Sequence, residues 1–156
     1  MISNMVFNFR IFGIFIITLI FFSFGSLFSH KGKASFVLEE FSKLTDQIDL
    51  EKEGAVRTEP LEVLLEKGGE KEKDSDIFKK ALPIVKELRN TTDSKTKQRF
   101  YSELVVLLQQ VIGYHDRSGA ILYYCPKTGK QWITNSEIVT NPFDRKNTSC
   151  IQKKGE

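Results

Sequence analysis

The chain is poor in the residues that most often build a chemical site. It contains two cysteines, two histidines, two methionines and one tryptophan among 156 residues. Both methionines, Met1 and Met5, lie at the N-terminus, and Cys125 and Cys150 are too far apart to form a Cys-x-x-Cys pair. A soft-metal site for copper(I) would therefore have to use the two cysteines as thiolates, with help from His115.

An excess of charge of one sign is also missing. Lysine and arginine number 23, aspartate and glutamate number 20, and the net charge is +3. Lysines and glutamates alternate along the chain, so no long basic face is offered to nucleic acid. Glycines 113, 119 and 129 do not form a phosphate-binding loop. We predict that the protein has no nucleic-acid partner.

A catalytic set cannot be assembled from the residues that are present. Nucleophilic catalysis needs a nucleophile, a base and an orienting group. Cys125 and His115 supply the first two types, but His115 falls in an exposed Gly-Tyr-His-Asp-Arg loop, and the other histidine, His30, adjoins the N-terminal segment. Glutamates fall on helix faces among lysines, which gives no paired-carboxylate site. We predict that the protein is not an enzyme.

The start of the chain, by contrast, is rich in apolar residues. Ile11 to Phe28 carry no charge, and small residues cluster at the end of this run. The pattern predicts that residues 1–34 form a signal peptide or an N-terminal membrane anchor. A buried soluble helix is the third alternative, but such a helix should show a polar stripe. The first two alternatives place residues 35–156 outside the cytoplasm, in the periplasm or on the inner membrane facing it.

In an exported domain, two cysteines favour a disulfide. A bridge between Cys125 and Cys150 closes a loop of about 25 residues, and chain entropy gives it roughly 3–3.5 kcal/mol of stabilisation. A metal site and a pair of free thiols remain the alternatives.

Residues 35–156 show amphipathic patterns that predict about four helices with short breaks. We expect helices at 36–48 with Ser35 as cap, from Thr58 to a stop at glycines 68 and 69, and from Ser75 or Asp76 to about residue 89 with a kink or restart at Pro83. The fourth should start at Asp93 or Ser94 and end at Gly113. The inward stripe of this fourth helix is predicted to comprise Phe100, Leu104, Leu107, Leu108 and Val111, with Val105 and Ile112 widening it. The fold class is therefore mainly α, an antiparallel bundle.

The pattern changes in the segment 113–156. Residues 120–124 and 131–134 predict the two strands of a β-hairpin around a turn at 127–130. The rest of the segment predicts an irregular tail, anchored by Ile138, Val139 and Phe143 and tethered by Cys150. The aromatic residues of the hairpin, Tyr123, Tyr124 and Trp132, either seal the open end of the bundle or form an aromatic binding surface.

The C-terminal third resembles a known family. The matching residues, in order, are Cys125-Pro126, Gly129 to Ile133, Asn135-Ser136, Ile138, Asn141-Pro142-Phe143 and Cys150, preceded by the helix segment Lys97 to Leu104. They resemble the bacterial envelope domain of unknown function that is often attached to, or encoded beside, periplasmic adaptor proteins of copper and silver efflux. The resemblance implies a small helical bundle with a cysteine-bearing tail, and an efflux adaptor as partner.

The chain departs from that family at its sulfur-bearing positions. Lys127 stands where the family has a methionine after Cys-Pro, and residues 147–149 lack the methionine that precedes the last cysteine. The cysteines without the methionines fit a structural bridge better than a complete ligand set. We expect a non-enzymatic exported accessory or interaction module, with copper(I) binding by Cys125 and Cys150 as the alternative function.

Overall fold

A computed structural model describes residues 31–67, 74–113 and 116–155. Lys31–Glu156 forms one compact unit. The predicted signal peptide or anchor falls almost wholly outside the described residues, as does His115. Within the ranges above, no helix combines the length and the hydropathy that a membrane span needs.

The described part of the chain contains four helices and a small antiparallel sheet, which confirms the predicted mainly α fold. The helices are α1 (Lys33–Gln47), α2 (Glu59–Glu66), α3 (Ser75–Asn90) and α4 (Ser94–Leu108), and a short 3₁₀ turn (Gln109–Val111) extends α4. The strands are β1 (Ile121–Tyr124), β2 (Gln131–Thr134) and β3 (Gln152–Lys153).

The helix starts were predicted with mixed success. Asp93 caps α4 as expected, because its carboxylate accepts the amide of Thr96 at 2.7 Å. The predicted cap at Ser35 is wrong, since Gly32 occupies that position and Ser35 lies inside α1. The buried Ser35 hydroxyl instead accepts the backbone amide of Arg117 at 2.9 Å, which ties α1 to the segment that enters the sheet.

Of the kink or restart predicted at Pro83, the restart is wrong, because α3 runs without interruption from Ser75 to Asn90. The proline is on the exposed side of the helix, where its ring meets water rather than packed side chains. The core side of α3 keeps its packing through Phe78, Ala81, Val85 and Leu88.

The buried face of α4 is turned relative to the predicted stripe. Leu104 and Leu108 are buried as predicted, but Tyr101 is also fully buried, whereas Phe100 and Leu107 are only partly covered. A prediction based only on apolar residues missed Tyr101. Tyrosine can be buried in a core when its hydroxyl forms a hydrogen bond. The partner here is Thr45 on α1, with 2.7 Å between the two hydroxyl oxygens.

The sheet has the strand order β2-β1-β3. The predicted hairpin is confirmed, with Ile121 opposite Thr134 and Tyr124 opposite Gln131. The third strand was not predicted. It adds the end of the chain to the free edge of β1, with Tyr123 opposite Lys153, so the tail is only in part irregular.

The elements close into a ring around one core. Each helix packs on the next, and β2 packs against both α1 and α4. Trp132 and Ile133 on β2 are fully buried. The Thr134 hydroxyl donates to Asp46 on α1 at 2.9 Å, which fixes this strand on the helix. The hairpin therefore completes the bundle wall.

Candidate functional site

The disulfide predicted between Cys125 and Cys150 is present. Their Cα atoms lie 4.8 Å apart, within the range that a bridge requires, and both residues are at least 98% buried. Cys125 follows β1 directly and Cys150 shortly precedes β3. The bond therefore holds the end of the chain against the edge of the hairpin.

The turn after Cys125 is held by its own backbone. The Cys125 carbonyl accepts the amide of Gly129 at 2.8 Å, and the Cys125 amide donates to the Lys130 carbonyl at 2.9 Å. Gly129 has a φ of 69°, a conformation that side chains disfavour, so glycine suits this position. The turn sets the position of Lys130, whose ammonium lies 5.1 Å from the ring centre of Phe143.

The aromatic residues of the hairpin do not form one exposed surface. Trp132 is fully buried and stacks on Tyr123 with ring centres 6.3 Å apart. Tyr124 is half-buried, and its hydroxyl donates to Gln152 on β3 at 2.8 Å. The hypothesis of an aromatic binding face is wrong for Trp132, because a buried indole cannot contact a partner.

The tail docks on the C-terminal end of α1. Phe143 is buried as predicted, whereas the predicted anchor Ile138 is 80% exposed. The guanidinium of Arg145 donates to the carbonyl of Ile48 at 2.6 Å and 3.0 Å and also to that of Asp46. Carbonyls at a helix end lack intrahelical partners and favour a cation, which explains the contact. Sequence reasoning missed Arg145, since no local pattern pairs it with α1.

The copper(I) hypothesis lacks a set of available ligands among the residues that the structure describes. Both cysteine sulfurs are joined to each other, so neither is a thiolate, and copper(I) binding would first require reduction. No cluster of three or more histidine, cysteine, aspartate or glutamate side chains occurs in the part of the chain that the structure describes.

A groove of about 850 Å³ lies between α3, α4 and the hairpin turn. Its apolar floor comes from Ile84 on α3 and from Val106 and Leu107 on α4, and Val106 is 55% exposed. Its other lining residues are Lys80, Lys95, Gln98, Arg99, Ser102, Glu103 and Lys130. Leu107, predicted for the inward stripe of α4, is only partly buried and also lines this groove.

The groove carries positive charge. Glu103 is the only acidic residue of the lining, and it pairs with Arg99 one turn away at 3.2 Å. Lys80, Lys95 and Lys130 form no ion pair within residues 31–67, 74–113 and 116–155. An apolar floor between unpaired cations is suited to an amphipathic ligand with acidic groups.

Comparisons with protein-family models, with curated proteins and with solved structures find no match to this chain. The resemblance to the envelope family of metal-efflux systems therefore stays a prediction.

Proposed function

We propose that the protein is a non-enzymatic interaction module exposed to an oxidising compartment of the cell envelope. The groove between α3, α4 and the hairpin turn is its binding surface. The observation that carries the proposal is the buried Cys125–Cys150 disulfide, which lies at the base of the hairpin turn that contributes Lys130 to the groove.

The disulfide supports the proposed location of the protein in an oxidising compartment. Such bonds persist in the periplasm and outside cells and are rare where thiols are kept reduced. The charge-free run from Ile11 to Phe28 points the same way, because it has the composition of an export signal or anchor. The two features are independent, since one concerns the first residues of the chain and the other its last third.

The same bond supports a binding role rather than catalysis. Cys125 was the one candidate nucleophile that sequence analysis could combine with a histidine, and its sulfur is bonded to Cys150. The groove, in contrast, exposes apolar side chains beside lysines that form no ion pair among the described residues, as binding surfaces do. From the family resemblance, the proposed partner is an adaptor protein of copper or silver efflux.

Thiol counting on fractionated cells tests the compartment. Cells are separated into cytoplasm, periplasm and membranes, and the protein, unfolded in denaturant so that buried sulfurs are accessible, is treated with a maleimide reagent with and without prior reduction. We expect the protein in the periplasmic or membrane fraction, with no reactive thiol before reduction and two after it. Two reactive thiols without reduction, together with stoichiometric copper(I) uptake, would favour the metal-binding alternative.

A further inference from the structure

We infer that the groove between α3, α4 and the hairpin turn binds an acidic amphipathic helix of a partner protein. This inference rests on the proposed function, because it names the chemistry of the partner at the same surface. It follows from the shape of the floor, the placement of the lysines and the openness of the groove.

The floor matches the apolar stripe of a helix. Val106 and Leu107 lie on the last turn of α4, and Ile84 on α3 lines the same groove. Ile84 and Leu107 also pack on the core, so the floor is held in place, whereas Val106 remains 55% exposed. Helices that bind in grooves insert apolar residues at spacings of three and four into a floor of this kind.

The lysines stand towards both ends of the groove. The three-residue break between α3 and α4 makes these helices antiparallel neighbours, and Lys95 is the second residue of α4, beside that break. Lys80 lies roughly 15 Å along α3 from the break, at a rise of about 1.5 Å per residue. Lys130 stands on the hairpin turn. A partner helix that presents acidic residues about three turns apart can therefore pair with both ends.

Two other occupants fit less well. Small-molecule sites enclose most of their ligand, but this groove is open above Val106 and would leave a small amphiphile largely in water. A second copy of the chain in a two-fold contact would bring this groove, with its net positive charge, against an identical positive surface. Like charges in contact oppose such a dimer, whereas acidic residues on a helix neutralise them.

Two designed peptides of equal length provide the test. Both carry leucines at helical spacings i, i+3, i+4 and i+7, but one has glutamates and the other has lysines at the flanking positions. Binding to the oxidised protein, purified from the cell envelope, is measured by fluorescence anisotropy at low and high salt. We expect the acidic peptide to bind at least about tenfold more tightly, since about three exposed ion pairs change sign.

Variants locate the peptide on the protein. Val106→Glu should weaken the acidic peptide about tenfold or more, because a carboxylate then occupies the apolar floor and repels the peptide. The double variant K80E/K95E should reverse the preference towards the basic peptide. Lys127→Glu is the matched control, since Lys127 is exposed on the same turn but does not line the groove, and it should change affinity less than about twofold.

Several results would overturn the inference. Equal binding of the two peptides, binding of neither, or an equal effect of Lys127→Glu would each show that the groove does not select an acidic helix. Saturable binding of laurate that Val106→Glu abolishes, without peptide binding, would identify an anionic amphiphile instead. A dimer in light scattering that Val106→Glu dissociates would identify a second copy. The proposed function fails separately, through the thiol count and the cell fraction.

Discussion

Removal of the Cys125–Cys150 bridge should destabilise the domain strongly. The bridge joins residues 25 positions apart in a compact unit that starts at Lys31. For a loop of this length the chain-entropy relation gives a stabilisation of about 3.5 kcal/mol at 25 °C. Domains of this size unfold with an entropy near 0.26 kcal/mol per degree, so the expected drop in Tm is about 13 °C.

Two perturbations separate the bridge from the side chains that form it. Reduction of the wild-type protein opens the bond but leaves both sulfurs in place. The variant C125A/C150A also removes two buried sulfur atoms, so it should lose the same free energy plus a packing contribution of about 1 kcal/mol. Reduction should then have no effect on this variant, which makes it the matched control for the reductant.

The assay uses the position of the single tryptophan. Trp132 is fully buried, so its emission should shift to longer wavelength when the hairpin unfolds. Urea unfolding followed by this emission and by circular dichroism gives the free energy of unfolding. Hydrogen exchange adds a local readout, because the Lys154 amide donates to the Leu122 carbonyl at 2.9 Å and should lose protection first.

The result that would refute the reasoning is a reduced wild-type protein within about 1 kcal/mol of the oxidised one, since this would leave most of the loop-entropy contribution unaccounted for. Unchanged protection of the Lys154 amide would contradict the assigned role of the bridge in holding β3 on the sheet.

Three further predictions concern contacts away from the bridge. Burial raises the pKa of Tyr101 well above its ordinary value of 10.0, so the folded state keeps a proton that the unfolded state loses at high pH. Its contribution to the free energy of unfolding is therefore constant below about pH 10 and falls above it by up to about 1.4 kcal/mol per pH unit. The variant Tyr101→Phe should lack this fall. If the free energies of unfolding of the two proteins, measured with urea, change equally between about pH 9 and 11.5, the assignment is contradicted. The buried carboxylate of Glu62 pairs with Arg89 at 3.0 Å, so Glu62→Ala should cost about 1–3 kcal/mol of unfolding free energy, and a double-mutant cycle with Arg89→Ala should show coupling rather than additivity. Arg145→Ala leaves two carbonyls of the α1 end without their donor and should lower the free energy of unfolding by about 1–3 kcal/mol, measured with urea. Arg145→Lys, with a single ammonium, should recover only part of this loss. Full recovery would mean that charge alone is sufficient.

Gly129, Pro83 and Ser35 show which structural features can be predicted from local sequence. Gly129 marked the hairpin turn correctly, because a positive φ is a property of the residue and its immediate neighbours. Pro83 wrongly suggested a restart, because one missing backbone donor on the exposed side does not end a helix whose core side stays packed. Ser35 was wrongly predicted as a cap, since its hydroxyl bonds a backbone amide far along the chain.

The candidate site could be predicted only in part. The spacing and the expected compartment favoured the bond between Cys125 and Cys150, with no other cysteine to compete. The groove could not be predicted, because it requires the rotation of α4 about its axis. Tyr101, bonded to Thr45, faces the core, whereas Val106 and Leu107 line the same groove as Ile84 on α3.

The sequence by itself determined the mainly α class, the hairpin and the choice of cysteine partners. These depend on hydrophobic periodicity, on turn residues and on the scarcity of cysteine, all of which are local or compositional. Tertiary structure alone decided that Trp132 is buried, that the end of the chain becomes β3, and that three lysines line one groove together with apolar side chains. The physical reason is that strand edges and helix faces acquire partners only when distant segments pack together.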